Sequence, residues 1–396
     1  AFCGGEVMVA PKLRFKEFDG DWVKKTLGEV VKFSNGKRIP LSESERQKRQ
    51  GDYRYYGASS VIDYIDDYLF NGEYILIGED GANIIARSST LAFVVTGKFW
   101  VNNHAHIFQS KDGNNIFLAT YLESLNFEKF NSGTAQPKLN LENLKKVPVA
   151  DPSLQEQKKI ATFLSAVDEK IAQLSQKLHL LGQYKQGMMQ KLFSQQIRFK
   201  ADDGREFGEW EYKPLNEIAY KNSIKNKDGN ITEVLTNSAL QGVIKQSDYF
   251  DREIVTEANL HGYYLVNIND FVYNPRISVH APVGPIKRNK KCLGVMSPLY
   301  TIFTVEIGNL TYLEYFFDSN FWHDYVKSVA NSGARHDRMN ITNKDFFEMP
   351  VLYPCLEEQT KIANFLSAID QKMDVVSEQL TQAKTWKKGL LQQMFV

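Results

Sequence analysis

The side chains able to make or break bonds are plentiful here, but their spacing builds no recognisable reaction centre. The sequence holds no G-x-x-x-x-G-K-[ST] phosphate loop, no G-x-S-x-G nucleophile elbow and no H-E-x-x-H zinc helix. His104 and His106 stand where one strand face could present both as metal ligands, yet no third ligand lies nearby in sequence, and a catalytic zinc needs three. No metal site is expected. Cys3, Cys292 and Cys355 are odd in number and lack C-x-x-C spacing, which fits neither a disulfide framework nor a thiolate zinc site. A reducing, cytoplasmic setting follows as the expectation. What remains is polar and basic material among turn residues: Lys37, Arg38 and Arg54 with Tyr56 in the first half, Arg276 and His280 with a run from Lys287 to Lys291 in the second. Arg, Asn and Gln are the side chains able to make paired hydrogen bonds to base edges, so these stretches are candidate DNA contacts.

Asn274-Pro275-Arg276 is similar to the Asn-Pro-Pro-aromatic tetrapeptide of amino-methyltransferases, but the second proline and the stacking aromatic are absent and no Gly-rich cofactor loop precedes it. An Asn-Pro turn is the simpler reading. The whole chain of 396 residues has length for two or three domains and an ordinary globular composition, 43% hydrophobic and 24% charged. Its formal net charge of +1 excludes bulk basicity as a source of nucleic-acid affinity. The longest apolar stretches are strand-sized, so no membrane partner is expected, and residues 1 to 10 do not read as a secretory signal.

The chain is written twice. Leu154 to Phe193 lines up without gaps on Leu356 to Phe395, with cores EQKKIATFLSAVDEK and EQTKIANFLSAIDQK. Upstream, Asn131-Ser132-Gly133 matches Asn331-Ser332-Gly333, Asn140 matches Asn340, and Pro148 and Pro152 match Pro350 and Pro354. The halves also open alike: Leu13-Arg14-Phe15-Lys16 with Trp22 and Leu27 corresponds to Ile197-Arg198-Phe199-Lys200 with Trp210 and Leu215. Between these landmarks the interiors share almost nothing.

The repeated segment is a helix by pattern. Ile160, Leu164, Val167, Ile171 and Leu174 alternate steps of four and three, and Ile362, Leu366, Ile369, Met373 and Val376 do the same in the second copy, a heptad seam. At about 1.5 Å per residue such a helix is roughly 60 Å long, which suggests that the two are partners for each other. Pro152 and Pro354 precede the first turn, with Glu156 and Glu358 near the positive helix end. Lys185 and Lys387 interrupt the seam at one heptad place and Gly187 and Gly389 follow, so far ends that are looser or contact something else are expected, while Asp168, Lys170, Asp370 and Lys372 read as solvated faces. The interiors read as mixed sheet, with strands at Tyr74 to Ile77, Leu91 to Val95, His104 to Phe108, Tyr263 to Val266, Asp270 to Tyr273 and Tyr300 to Val305, and short helices at Ile116 to Leu125 and Tyr312 to Val329. The fold class is α+β.

At the two EQ-led helices, with their M/V-P-V-x-x-P entries, N-S-G loops and R-F-x-x-F-x-G-x-W style opening, the chain resembles the specificity subunit of type I restriction-modification systems along essentially its whole length. Two departures are an insertion between Arg198 and Trp210, and Arg335-His336-Asp337-Arg338 in place of Ala135-Gln136-Pro137-Lys138. The resemblance implies a first target recognition domain at 1–151, a long spacer helix at 152–196, a second recognition domain at 197–353 and a second spacer helix at 354–396. It also implies that the helices are antiparallel and related by a pseudo-twofold axis. The subunit would be non-catalytic and bind no cofactor itself. Its partners would be double-stranded DNA, two modification subunits that use S-adenosylmethionine to methylate adenine N6, and two motor-nuclease subunits that use ATP with Mg. By the same likeness the loops at 131–140 and 331–340, and the turns at 57–60, 78–83, 236–238 and 273–276, lie toward DNA, which adds Ser59, Asn83, Gln136, Lys138, Asn237, Arg335, His336 and Arg338 to the candidate contacts. A self-contained DNA adenine methyltransferase and a coiled-coil scaffold without DNA are the competing classes.

Overall fold

Glu156 and Glu358 open the two long helices, and both carboxylates are buried, at 2% and 0% exposure. A carboxylate removed from water needs charged partners, and in each case the opening segment supplies them. Arg14 donates from Nε and Nη2 to Glu156 at 2.7 and 2.8 Å, and the Trp22 indole adds a third bond at 3.2 Å. Arg198 and Trp210 hold Glu358 in the same way, at 3.1, 2.7 and 2.9 Å. The next residue repeats too. Gln157 accepts from the backbone N–H of Asn114 at 2.9 Å, and Gln359 from that of Asn309 at 2.8 Å. Asn114 and Asn309 are the N-caps of the short helices Asn115–Ser124 and Leu310–Asp318. The EQ dipeptide thus ties opening strand, short helix and long helix together.

The computed structural model describes residues 7–8, 10–133, 136–249, 257–331 and 337–395. Trp22–Thr26 pairs antiparallel with Pro148–Asp151, and Glu211–Pro214 with Pro350–Tyr353. Between these pairs lie the interiors. In the first, strands β1 (Val31–Phe33), β2 (Gln50–Tyr56), β3 (Val61–Ile65), β4 (Phe70–Gly78), β5 (Ala92–Val101) and β6 (Ala105–Ser110) form a sheet in the order β1-β6-β4-β5-β2-β3, antiparallel except between β5 and β2. Ile75 and Ile77 on β4 join the core beneath the long helix while Leu76 joins a separate cluster on the other face, as the two-residue period of a strand requires.

The second interior repeats the inner part of this sheet. Strands β7 (Ala219–Asn222), β11 (Phe271–Tyr273), β12 (Ile286–Arg288) and β14 (Thr301–Val305) are ordered β7-β14-β11-β12, the counterpart of β1-β6-β4-β5. Phe271 and Tyr273 face one core and Val272 the other. The rest differs: β8 (Leu235–Ser238) pairs with β9 (Gly242–Lys245), and β10 (Tyr264–Val266) with β13 (Gly294–Met296), in two small ribbons. The helix expected over Tyr312 to Val329 is two helices, Leu310–Asp318 and His323–Val329. The Ser319 hydroxyl donates to the Phe316 carbonyl at 2.6 Å, and Trp322 between the helices is 1% exposed against Tyr273 and Phe317.

The long helices span Leu154–Phe193 and Leu356–Met394. The chain divides into two compact units, residues 1–176 with 377–396 and residues 177–376, so each unit contains the start of one long helix and the end of the other. In the first unit, Ile160, Leu164 and Val167 share a core with Leu390, Met394 and Phe395. In the second, Ile362, Leu366 and Ile369 share one with Leu192 and Phe193. The helix segments in each unit run antiparallel. Leu174 and Val376 are buried as well, while Ile171 and Met373 are half-buried and pack against their cores.

Of the two expectations for the far helix ends, looseness or contact with something else, the second describes them: Phe395 lies edge-on to Phe117 and Tyr121, and Phe193 packs against Tyr312 and Phe316. Asp168 is exposed, as expected, and pairs with Lys387 at 2.5 Å, whereas Asp370 is half-buried, pairing with Lys185 at 2.7 Å and accepting from the Tyr315 hydroxyl at 2.6 Å. Lys170 and Lys372 are exposed. Among the described residues, no helix is long and apolar enough to cross a membrane.

Removing one partner of a buried ion pair strands the other charge, at a cost of about 3–5 kcal/mol. Arg14→Ala is expected to destabilise the first unit by that amount and leave the second nearly unchanged, and Arg198→Ala to do the reverse. Hydrogen exchange in urea should show protection lost at Trp22–Thr26 in the first variant and at Glu211–Pro214 in the second. Equal loss in both units would show that the two clamps are not independent.

Candidate nucleic-acid interface

In each half, three separate loops meet at the end of the central strand. In the first, Gly57 N–H donates to the Ser60 carbonyl at 2.9 Å to close a turn. That turn crowds the end of β4, where a Cβ on Gly78 would meet the Ala58 oxygen at 3.2 Å and Leu91 Cδ1 at 3.0 Å. The chain then pairs Asp80 with Lys138 in an isolated antiparallel bridge, flanked by Gly81 N–H to Pro137 O at 3.0 Å and Leu139 N–H to Glu79 O at 2.7 Å. The N-S-G loop folds onto this bridge. Asn131 Oδ1 accepts from the N–H groups of Gly133 and Lys138, and Ser132 bonds the Lys138 carbonyl from both its N–H and its hydroxyl.

The second half builds the same junction from other side chains. Arg276 pairs with Arg338, flanked by Ile277 N–H to Asp337 O at 3.0 Å and Met339 N–H to Pro275 O at 2.9 Å. Asn274 Oδ1 accepts from the Arg276 N–H, and its amide donates to the Asn237 carbonyl at 3.0 Å, joining the 236–238 segment to the turn. The Asn-Pro-Arg tripeptide is therefore a structural turn. One element of the repeat shifts: Asn140 caps the short helix Leu141–Lys145, but its counterpart Asn343–Phe347 is capped by Thr342, two residues beyond Asn340.

The candidate contacts divide by exposure. Lys37, Gln136, Lys138, Arg276 and His280 are exposed, and Ser59, Asn83, Arg54 and Arg338 are half-buried. Several are committed inside the protein. Arg38 donates to Glu79 at 2.8 Å and to the Ala105 carbonyl at 2.6 Å. Tyr56 is buried against Phe93 and Phe99, with the Arg54 guanidinium over its ring. Asn83 closes its own loop onto the Ser89 backbone. Asn237 is 3% exposed, its amide donating to the Val272 and Pro285 carbonyls, so it fastens a ribbon to the central sheet. Arg335 and His336 lie outside the described residues.

The histidines do not form a pair. His104 precedes β6 and reaches Asp80 at 2.9 Å, whereas His106 is 1% exposed, with Nε2 2.6 Å from the Leu139 carbonyl and Nδ1 2.8 Å from the Asn35 amide. This arrangement suits a neutral ring that donates from Nε2 and accepts at Nδ1. Burial pushes its pKa below the usual 6.5, outweighing the opposing pull of the Leu139 carbonyl and Glu79. Among the described residues, no group of three or more His, Cys, Asp or Glu is placed to hold a metal. Sequence reasoning named Asn274 as part of a turn but did not single out Asn35, Glu79 or Asp80, which with it bind these loops together. The register that aligns Asp80 with Arg276 is the signal that identifies them.

The comparisons agree with the geometry. A family model described as the type I restriction modification DNA specificity domain matches twice, at residues 19–181 and 208–385. A type I restriction enzyme specificity subunit of Haemophilus influenzae is 38% identical over 144 residues, 36% of each chain. The EcoprrI specificity subunit of Escherichia coli is 30% identical over 160 residues, 39% of this chain and 38% of that one. The aligned regions thus span well under half of these two relatives. The MjaVIII specificity subunit of Methanocaldococcus jannaschii aligns over 95% of this chain and 94% of its own, at 23% identity. In fold, the chain is similar to the crystal structure of a type I restriction-modification S subunit from M. genitalium, with a TM-score of 0.60 and 15% identity over 98% and 99% of the two chains.

A histidine buried neutral lowers stability when acid forces a proton on it. Because the folded pKa of His106 lies below the unfolded value, its stabilisation is complete above about pH 6.5 and is lost as pH falls toward the folded pKa. The first unit should therefore lose thermal stability between pH 7 and pH 5, and His106→Gln should flatten that dependence. Calorimetry across this range checks it; an unchanged slope in the variant would remove His106 as the cause.

Proposed function

Since the chain belongs to the family of type I restriction-modification DNA specificity subunits, whose members are non-catalytic, we propose that its two domains each read one half of a split duplex-DNA target. Repetition of one loop junction with unlike side chains is the observation that carries this reading. Asp80 and Lys138 occupy in the first domain the places that Arg276 and Arg338 occupy in the second. A shared frame with different presented chemistry suits two different sequences. A scaffold would have no use for the difference.

In this reading the chain works in the cytoplasm and recruits two modification subunits, which bring S-adenosylmethionine and methylate adenine N6. Two motor-nuclease subunits with ATP and Mg complete the assembly. The near-zero net charge fits this division, because modification subunits closing on the duplex would supply many of the phosphate contacts that dominate affinity.

The full chain mixed with modification subunits is expected to methylate adenines in two short sequences separated by a constant gap. Binding should fall steeply as salt rises from about 50 to 200 mM. Methylated-base sequencing of treated genomic DNA measures the pattern. Methylation by the chain without modification subunits would favour a self-contained methyltransferase, and salt-independent or absent DNA binding would favour a scaffold.

A further inference from the structure

We propose that Arg276 and Arg338 together read a guanine in the half-site of the second domain, an inference that rests on the DNA-reading function above. Their bridge is flanked on both sides by main-chain hydrogen bonds, which makes them a non-hydrogen-bonded antiparallel pair. Such pairs bring Cα atoms to about 4.5 Å and set the side chains close together. Two like charges directly opposite each other destabilise a bridge, so this position is unfavourable until acceptors arrive.

The first domain shows what a self-satisfied version looks like. At the same register Asp80 meets His104 at 2.9 Å, Lys138 lies 3.7 Å from Glu79, and Glu79 takes Arg38 at 2.8 Å. In the second domain, Arg276 makes no side-chain hydrogen bond or ion pair among the described residues, and Arg338 has only its neighbour Asp337 at 3.8 Å. The two arginines border a cleft of about 380 Å³ that also takes in Thr236, Asn274 and Tyr300, and no carboxylate among the described residues lines it. Among the described residues this pair therefore has a single carboxylate, that of Asp337 at 3.8 Å from Arg338, and none at Arg276, while being fixed in place by backbone bonds.

A guanidinium can give two parallel hydrogen bonds to O6 and N7 of guanine, the major-groove edge that presents two acceptors side by side. A phosphate offers acceptors too, but needs only charge. Lysine separates the two, since it keeps the charge and loses the planar fork.

The test uses the full chain assembled with modification subunits and a pool of randomised duplexes, from which bound sequences are recovered and read. The wild-type complex is expected to select a guanine in the second half-site. In the Arg276→Lys, Arg338→Lys double variant, preference at that position should relax by about 5- to 150-fold, with the first half-site and the salt dependence unchanged. Single lysine variants assign the effect between the two arginines. A uniform loss of affinity over all sequences in the corresponding alanine variants, with selection intact in the lysine variants, would make the pair a phosphate clamp and overturn the proposal. So would a wild-type second half-site without guanine, or unaltered selection in the double variant. Failure of the wild-type complex to bind any duplex would instead overturn the DNA-reading function itself.

Discussion

A carboxylate cannot lie at the base of a long helix, out of water, unless something positive reaches it. In this chain Glu156 and Glu358 meet that requirement with Arg14 and Arg198, residues far away in sequence. The consequence is topological. Each opening segment must return to the start of its own long helix before that helix can be buried there, and the pairing of Trp22–Thr26 with Pro148–Asp151, or of Glu211–Pro214 with Pro350–Tyr353, follows the same closure. Gln157 and Gln359 then fix the N-caps of the short helices, so two adjacent residues position three elements.

Once that frame is closed, what lies between the landmarks is free to vary. The central strands keep one order in both halves, while the first adds two strands to the sheet and the second substitutes two separate ribbons. The halves differ in these outer strands and in the loops at the strand ends, away from the clamp. A like-charged arginine pair is tolerable there because main-chain bonds hold the register. The buried clamp thus lies in the repeated frame, and the differences between the halves lie outside it.

Much of this was legible in the residues. The heptad steps from Ile160 to Leu174 and from Ile362 to Val376 identify the helices and their buried stripe, and the gapless repeat identifies two related halves. The partners of the ends were not. Gly187 and Gly389 leave the far ends either loose or in contact with something else, and the contacts of Phe193 and Phe395 do not follow from the sequence, because periodicity describes which face is apolar and not which domain receives it. Asp370 looks solvated for the same reason, though it is half-buried against Lys185 and Tyr315. Among the candidate contacts, Arg38 and Asn237 have the chemistry to read DNA but are held inside the protein, a distinction that depends on Glu79 and the Val272 carbonyl rather than on residue type. Arg276 and Arg338 were legible as basic loop residues, yet their adjacency depends on a bridge between segments far apart in the chain.

The central claim is that the two halves are one frame whose long-helix tails fill each other's equivalent cores. Sedimentation equilibrium of residues 1–196 alone tests it most directly. In the full chain Met394 and Phe395 complete the first core, and Leu192 and Phe193 are their counterparts in the second. In the half-chain, Leu192 and Phe193 of one copy should enter the first core of another beside Phe117 and Tyr121, a swap close in volume and polarity. The account predicts the mass of a dimer at micromolar concentration; a folded monomer persisting there would contradict it.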